Sequence, residues 1–263
     1  MAWLTSQPIG VLIGGCLAIA VLIAISSRLA VRAFLPESHR DGAYSIAAPL
    51  TSALGAGFAI LAALTLANEA ASLADAESIV SSEAASASRL AWAATTPGVE
   101  PGLVHAALLQ YLQAIRGNEW HGAEAATGND PATATAVADL ERTVRAQGVK
   151  PGLGTPASTE LFSSIDAITT DRRARLAAAE RQLPGLYVIT LVVGGIALIA
   201  NAAVLTVRVP HRSALVIGGL TVVIGLSVAL ILALGNPWGG SIVVSGYPLD
   251  VVINDLMHGY FHS

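Results

Sequence analysis

Cysteine occurs once, at Cys16, which excludes a disulfide framework and any cysteine-ligated zinc site. Lysine also occurs once, at Lys150, and the net charge is −4, so no basic face is offered to nucleic acid. Charged residues are 12% of the chain and aromatic residues 5%. Soluble domains carry about 25% charged residues. A chain with so few charges is neither an ordinary cytosolic enzyme nor a disordered protein. What it has instead is 54% hydrophobic residues in 263 positions and a mean hydropathy of +0.64. That combination describes an integral membrane protein. The preference for Arg over Lys, with abundant Ala, points to a high-GC bacterial genome.

A bilayer core of about 30 Å needs about 20 apolar helical residues. Four runs qualify, at about 9–26, 45–67, 184–207 and 213–235. Unpaired peptide groups are too costly in hydrocarbon for anything but helices or closed barrels, and these uninterrupted runs read as helices. The predicted fold is therefore all-α: a polytopic membrane protein with four transmembrane helices and a helical extramembrane insert between helices two and three. Residues 1–67 form one hairpin, 68–183 the insert, 184–235 the second hairpin, and 236–263 an interfacial turn with an amphipathic helix.

The first run lacks the basic flank of a signal peptide, and the apolar stretch continues past Cys16, unlike a lipoprotein cleavage site. Cys16 reads as a small packing residue. Arg28, Arg32 and Arg40 in one short loop, with Arg208 and Arg212 in the other, place both loops in the cytoplasm and the N-terminus outside. Arg172, Arg173, Arg175 and Arg181 stand on the opposite side and oppose that orientation.

From Asn68 to Leu183 there are nine Lys and Arg against fourteen Asp and Glu. The periodicity of this acidic zone is helical. Leu66, Leu73, Val80 and Ala87 recur every seven residues, so span two continues as one helix to about Trp92, where Thr95-Thr96-Pro97-Gly98 stops it. Val104, Leu108, Tyr111 and Ile115 share a face of a second helix. Asp130-Pro131 caps a third that turns Val137, Leu140 and Val144 inward. Thr155-Pro156 begins a fourth, with Leu161, Ile165, Ile168 and Leu176 as its stripe. After span four, Asn236-Pro237-Trp238-Gly239-Gly240 breaks the helix at the membrane boundary. Leu249, Val252, Ile253, Leu256, Met257, Tyr260 and Phe261 then line one face of a terminal helix. Lacking Lys and Arg, that helix suits packing on protein better than a lipid surface.

No span carries Asp, Glu, Lys, Arg or His in its interior, which argues against a proton-coupled pump. Asn201, the most polar residue deep in a span, either lines a pore or bonds a neighbouring helix. Phe58, Ile60 and Leu61 of span two are candidates for pore lining or helix packing. Gly10 with Gly14, Ala53 with Gly57, Gly194-Gly195 and Gly218-Gly219 permit close helix approach, within the chain or between copies. Arg172, Arg173 and Arg175 would contact lipid headgroups if their end is cytoplasmic, or pair with Asp166, Asp171 or Glu180 on their own helix otherwise. Asp255, His258 and His262 have a spacing that a metal could use, and Glu119, His121 and Glu124 form a looser group. Both are ordinary polar residues on the simpler reading, so no metal site is assigned. There is no nucleophile elbow, Walker loop, dinucleotide turn or HExxH. No catalytic residue and no cofactor is assigned, and the chain is not read as an enzyme. Its expected partners are the lipid bilayer and further copies of itself, with no nucleic acid. A small-molecule ligand is not indicated.

Several of these residues form a pattern: Tyr111, then Glu119-Trp120, the run Arg172-Arg173-Ala174-Arg175-Leu176, Leu183-Pro184 with Leu186-Tyr187, and Pro237-Trp238-Gly239-Gly240. With two spans on either side of a helical insert, the chain resembles a family of bacterial integral membrane proteins described as bestrophin-like and of unknown function. That family usually has a Pro-Phe-x-Gly turn after span four, where this chain has Trp238. The resemblance implies a remote similarity to bestrophins, which are pentameric ion channels whose second span lines the pore with bulky apolar and aromatic side chains. Two functions are open. One, supported by the acidic helical insert between the span pairs, is a membrane-anchored helical interaction or sensing module. The other is an oligomeric bestrophin-like ion channel, in which Thr51, Ser52, Ala56 and Thr65 would face water.

Overall fold

The computed structural model describes residues 7–34, 36, 40–120, 130–181, 183–206, 212–239 and 241–261. Its helices are α1 (Ile9–Phe34), α2 (Arg40–Ala93), α3 (Pro101–Asn118), α4 (Pro131–Gly148), α5 (Thr155–Glu180), α6 (Gly185–Thr206), α7 (Arg212–Leu234) and α8 (Tyr247–Met257). Among the described residues there is no strand. Four helices are long and apolar enough to cross a membrane: α1, α2, α6 and α7. The protein is an all-α membrane protein.

The chain divides into two compact units. The first holds Met1–Ala71, Gln182–Asn236 and Gly240–Ile242, and so contains α1, the beginning of α2, α6 and α7. Its core joins Ala20 and Ala24 of α1, Phe58 of α2, Leu191, Leu198 and Ile199 of α6, and Ile217, Ile224 and Ile231 of α7. Lipid tails are as apolar as these side chains, so close backbone approach and interhelical hydrogen bonds hold such a unit together. Gly195 supplies one approach: a Cβ there would meet Ile224 Cγ2 at 2.8 Å and Phe58 Cε2 at 3.5 Å. Gly225 supplies another, with Leu17 Cδ2 at 2.9 Å from such a Cβ. By contrast Gly10, Gly14, Gly57, Gly218 and Gly219 have nothing within 4 Å. Of the small-residue pairs, only Gly194-Gly195 packs within the chain.

Asn201 donates from Nδ2 to the Ala47 carbonyl at 2.9 Å and to Thr51 Oγ1 at 2.7 Å. It stitches α6 to α2 close to Pro49, which interrupts the α2 hydrogen-bond ladder from within.

The second unit holds Ser72–Arg181, Pro237–Gly239 and Val243–Ser263. Ala76, Val80, Ala84, Ala87 and Leu90 of α2 face Val104, Leu108 and Leu112 of α3, Leu140 and Val144 of α4, Leu161 and Ile168 of α5, and Leu249 and Val252 of α8 in one core. The turn between α2 and α3 uses Gly98 at φ +98°, a conformation that glycine adopts without strain. Asp130 caps α4 by accepting from the Thr133 amide at 2.7 Å. Its carboxyl also takes the Thr133 hydroxyl and the Asn118 amide.

On α4 it is Ala136 that is fully buried, with Val137 only half-buried, one position off the expected stripe. On α5 the inward stripe runs Leu161, Ile165, Ile168 and then Arg175 and Ala179, while Leu176 is half-buried beside it. The spacing of three and four residues that carries Leu161 to Ile168 leads on to Arg172 and Arg175, and a basic side chain holds the core position.

Candidate functional site

The inward-facing Arg175 lies at the centre of the second unit with no exposed surface. Its Nε donates to Glu83 Oε2 at 2.8 Å, and its Nη2 to Glu119 Oε2 at 3.0 Å. Arg172, one turn earlier on α5, donates from Nη2 to Glu119 Oε1 at 2.6 Å. The Tyr111 hydroxyl donates to the other Glu83 oxygen at 2.7 Å. Glu83 and Glu119 are both fully buried. Two carboxylates face two guanidiniums, so the formal charges cancel, and each carboxylate oxygen has a donor.

Removing four charges from water is costly, and close pairing in which every carboxylate oxygen has a donor offsets that cost without a surplus, since Arg175 Nη1 is buried without a partner. Burial lowers the basicity of Arg175, but the fields of Glu83, Tyr111 and Glu119 outweigh it and hold the guanidinium firmly charged. Burial first, and then the Glu83 carboxylate, push the Tyr111 hydroxyl well above the usual tyrosine range. The network therefore fastens α2, α3 with its following residue, and α5 in one arrangement. It offers no activated nucleophile.

A second layer adjoins it through Trp120, the neighbour of Glu119. The Trp120 ring meets Trp238 edge to face, with centroids 5.5 Å apart. Arg116 lies over Trp120 at 4.7 Å and forks onto Asp250 of α8 at 2.6 and 2.9 Å. Gly246 makes room for it, since a Cβ there would fall 2.2 Å from Arg116 Nη1. The turn carrying Trp238 is closed by the Val244 amide on the Pro237 carbonyl at 2.9 Å. Tyr111, Glu119-Trp120, Arg172, Arg175 and Pro237-Trp238, scattered over more than a hundred residues, thus meet in one buried cluster.

Arg175 is enclosed among protein groups and presents nothing to a headgroup, which corrects the lipid-contact expectation for that residue. Its charge cannot be left unbalanced in a core, and two carboxylates from other helices balance it. Arg172 also turns inward, onto Glu119, with 14% of its side chain exposed. Arg173 alone of the three is exposed. The pairing along α5 is not made by Asp171, which instead accepts the hydroxyls of Ser82 and Ser86.

In the first unit Phe58 is buried against Gly194 and Gly195, whereas Ile60 and Leu61 are 59% and 38% exposed. Asn201 packs as described above. Thr51 is turned to Asn201 and Thr65 is buried, so neither belongs to the open face of α2. Among the described residues no group of three His, Cys, Asp or Glu is placed to hold a metal. His258 bonds the Asn254 carbonyl through Nδ1 at 2.8 Å. His121, Glu124 and His262 lie outside the described residues, as does Arg208.

The inward roles of Glu83 and Arg175 are not apparent from hydrophobic patterning alone. The available signal is spacing: Glu83 continues the stripe of Ala76 and Val80, and Arg175 that of Ile165 and Ile168.

No curated protein matches the chain, and no solved structure does. A family model described as Bestrophin-like domain matches residues 18–249, and the chain belongs to that bestrophin-like family.

Proposed function

We propose that the protein is an oligomeric, bestrophin-like membrane channel in which α2 from several copies faces a shared axis. The observation that carries this is the open face of α2. Ile46, Leu50, Ile60 and Leu64 are 68%, 44%, 59% and 64% exposed, and Ala53 and Gly57 between them are exposed as well. These six positions alternate by four and three residues, the spacing of a helix that packs against parallel partners. A helix of 54 residues is about 80 Å long, far more than hydrocarbon can cover. Copies of α2 would cover this stripe from Ile46 to Leu64. Such an axis is apolar, and an apolar constriction gates by dewetting without charged filters.

The setting we propose is a bacterial plasma membrane, with the N-terminus outside, partners limited to lipid and further copies, and no enzymatic step. Accessibility labelling of Gly152→Cys in a Cys16→Ser background tests the sidedness. Conductance across planar bilayers tests the channel. Leu64→Ser is expected to raise conductance by wetting the constriction. Silence at every voltage and calcium concentration would defeat the channel reading.

One observation favours the second reading, a membrane-anchored interaction or sensing module. Trp92, Tyr260, Met257 and Tyr247 are 46%, 64%, 56% and 70% exposed in the second unit. Exposed aromatic side chains of this kind suit a protein partner. Co-purification of a distinct protein, lost on Tyr260→Ala, would support that reading over conduction.

A further inference from the structure

The first unit contains an apolar groove between α2 and α7 of about 370 Å³. Phe58, Ala62 and Leu66 form one wall, and Val223, Leu226 and Ile231 the other. The single hydroxyl in its lining, Ser227, donates to the Val223 carbonyl at 2.8 Å and is satisfied. Water needs two or more polar partners to occupy such a space, and none is free to serve it. The groove is therefore a slot for hydrocarbon.

Its length and depth define the occupant. With the insert between spans two and three, α2 and α7 point the same way across the membrane. Phe58 and Val223 then lie near mid-span, and Leu66 and Ile231 near the boundary on the insert side. Nine helical residues cover about 12 Å, close to half of a ~30 Å hydrocarbon core. The slot is one leaflet deep.

Glu69 follows Leu66 by three residues and shares its side of α2. It is 6% exposed and makes no ion pair among the described residues. Burial raises its pKa, and the neutral Asn68 beside it opposes that only in part. The other charged positions described in this unit, Arg28, Arg32, Arg40, Asp41 and Arg212, stand at its opposite end. Keeping the Glu69 carboxyl charged at a low-dielectric boundary calls for a cation beside it.

We propose that the α2–α7 groove binds one acyl chain of a phospholipid from the insert-side leaflet, with an ammonium-bearing headgroup set beside Glu69. Chain and headgroup are read by separate features, the apolar slot and the acid above it. The proposal needs only that the four spans sit in a bilayer, so it stands or falls independently of conduction.

The test uses the full-length protein in nanodiscs containing phosphatidylethanolamine with a diazirine on one acyl chain. Cross-links are mapped by peptide mass spectrometry. Labelling is expected to concentrate on 58–66 and 223–231, and Ala63→Phe, which fills the slot from its rim, should lower it about tenfold. Leu226→Ala, which widens the slot, should raise labelling and guards against a folding defect in the first variant. A charge near a membrane surface is worth about 1 kcal/mol, or about fivefold. Phosphatidylethanolamine should therefore outcompete phosphatidylglycerol about fivefold, and Glu69→Gln should bring the two to parity with chain labelling retained. Labelling spread evenly over lipid-facing positions such as Leu22 would overturn the proposal. So would disulfide-linked copies through Ala63→Cys that displace the lipid.

Discussion

Arg175 and Glu83, ninety-two residues apart in the chain, are joined at 2.8 Å in a core where neither has exposed surface. Breaking such a pair from one side leaves an uncompensated charge. Arg175→Met is expected to destabilise the second unit by about 3–5 kcal/mol, read as a lowered melting temperature in mild detergent. The Glu83→Gln, Arg175→Met double variant should lose less than the sum of the single variants. Additive losses would show that the two residues do not act as a pair.

Tyr111 gives the network a pH dependence at its alkaline end. Its folded-state pKa is raised, so its stabilising contribution is fully present below the unfolded tyrosine value of about 10. It is lost as the pH climbs from there toward the folded value. Unfolding followed from pH 8 to 11 should show falling stability at the top of the range, and Tyr111→Phe should flatten that fall. At neutral pH the same substitution removes a hydrogen bond to a buried carboxylate and should cost about 1.5–3 kcal/mol.

Trp238 carries a buried indole Nε1–H with no hydrogen-bond partner. Trp238→Phe keeps an aromatic ring against Trp120 and removes the orphan donor, so its effect should be close to neutral. Trp238→Ala should cost about 3–5 kcal/mol, because the ring leaves a cavity behind. Similar losses for both variants would mean that the indole nitrogen matters to the turn.

Glycines in the spans should divide by what stands opposite them. Gly195→Ala pushes a methyl group into Ile224 and should cost about 1–3 kcal/mol. Gly57→Ala meets open space and should leave the stability of the isolated chain unchanged within about 0.5 kcal/mol. If copies meet along α2, however, Gly57→Leu should shift the oligomer distribution seen by native mass spectrometry.

The membrane helices were legible because hydrocarbon imposes a rule of length and composition that a single run of residues either meets or fails. The inner faces of α3 and α5 were legible for a similar reason: Val104, Leu108 and Tyr111, or Leu161 and Ile168, are apolar at helical spacing. The charge network was not. A buried Arg looks like a surface Arg until its partners are known, and Glu83 and Glu119 lie on elements whose contacts depend on the tertiary fold. Hydrophobicity drew the α5 stripe to Leu176, when the geometric continuation from Ile168 was Arg175. Span two shows the same limit. Its composition does not reveal that Thr51 is used by Asn201, nor that Ile60 is left open.

The core of the second unit also has an order built into it. It draws on residues 72–181 and then, beyond the second pair of spans, on Trp238, Leu249, Val252 and Phe261. A ribosome delivers those last side chains only after α6 and α7 have been handed to the insertion machinery. Until then the nascent domain has an unfilled seam along α3. The core of the second unit therefore cannot be completed before Phe261 is translated.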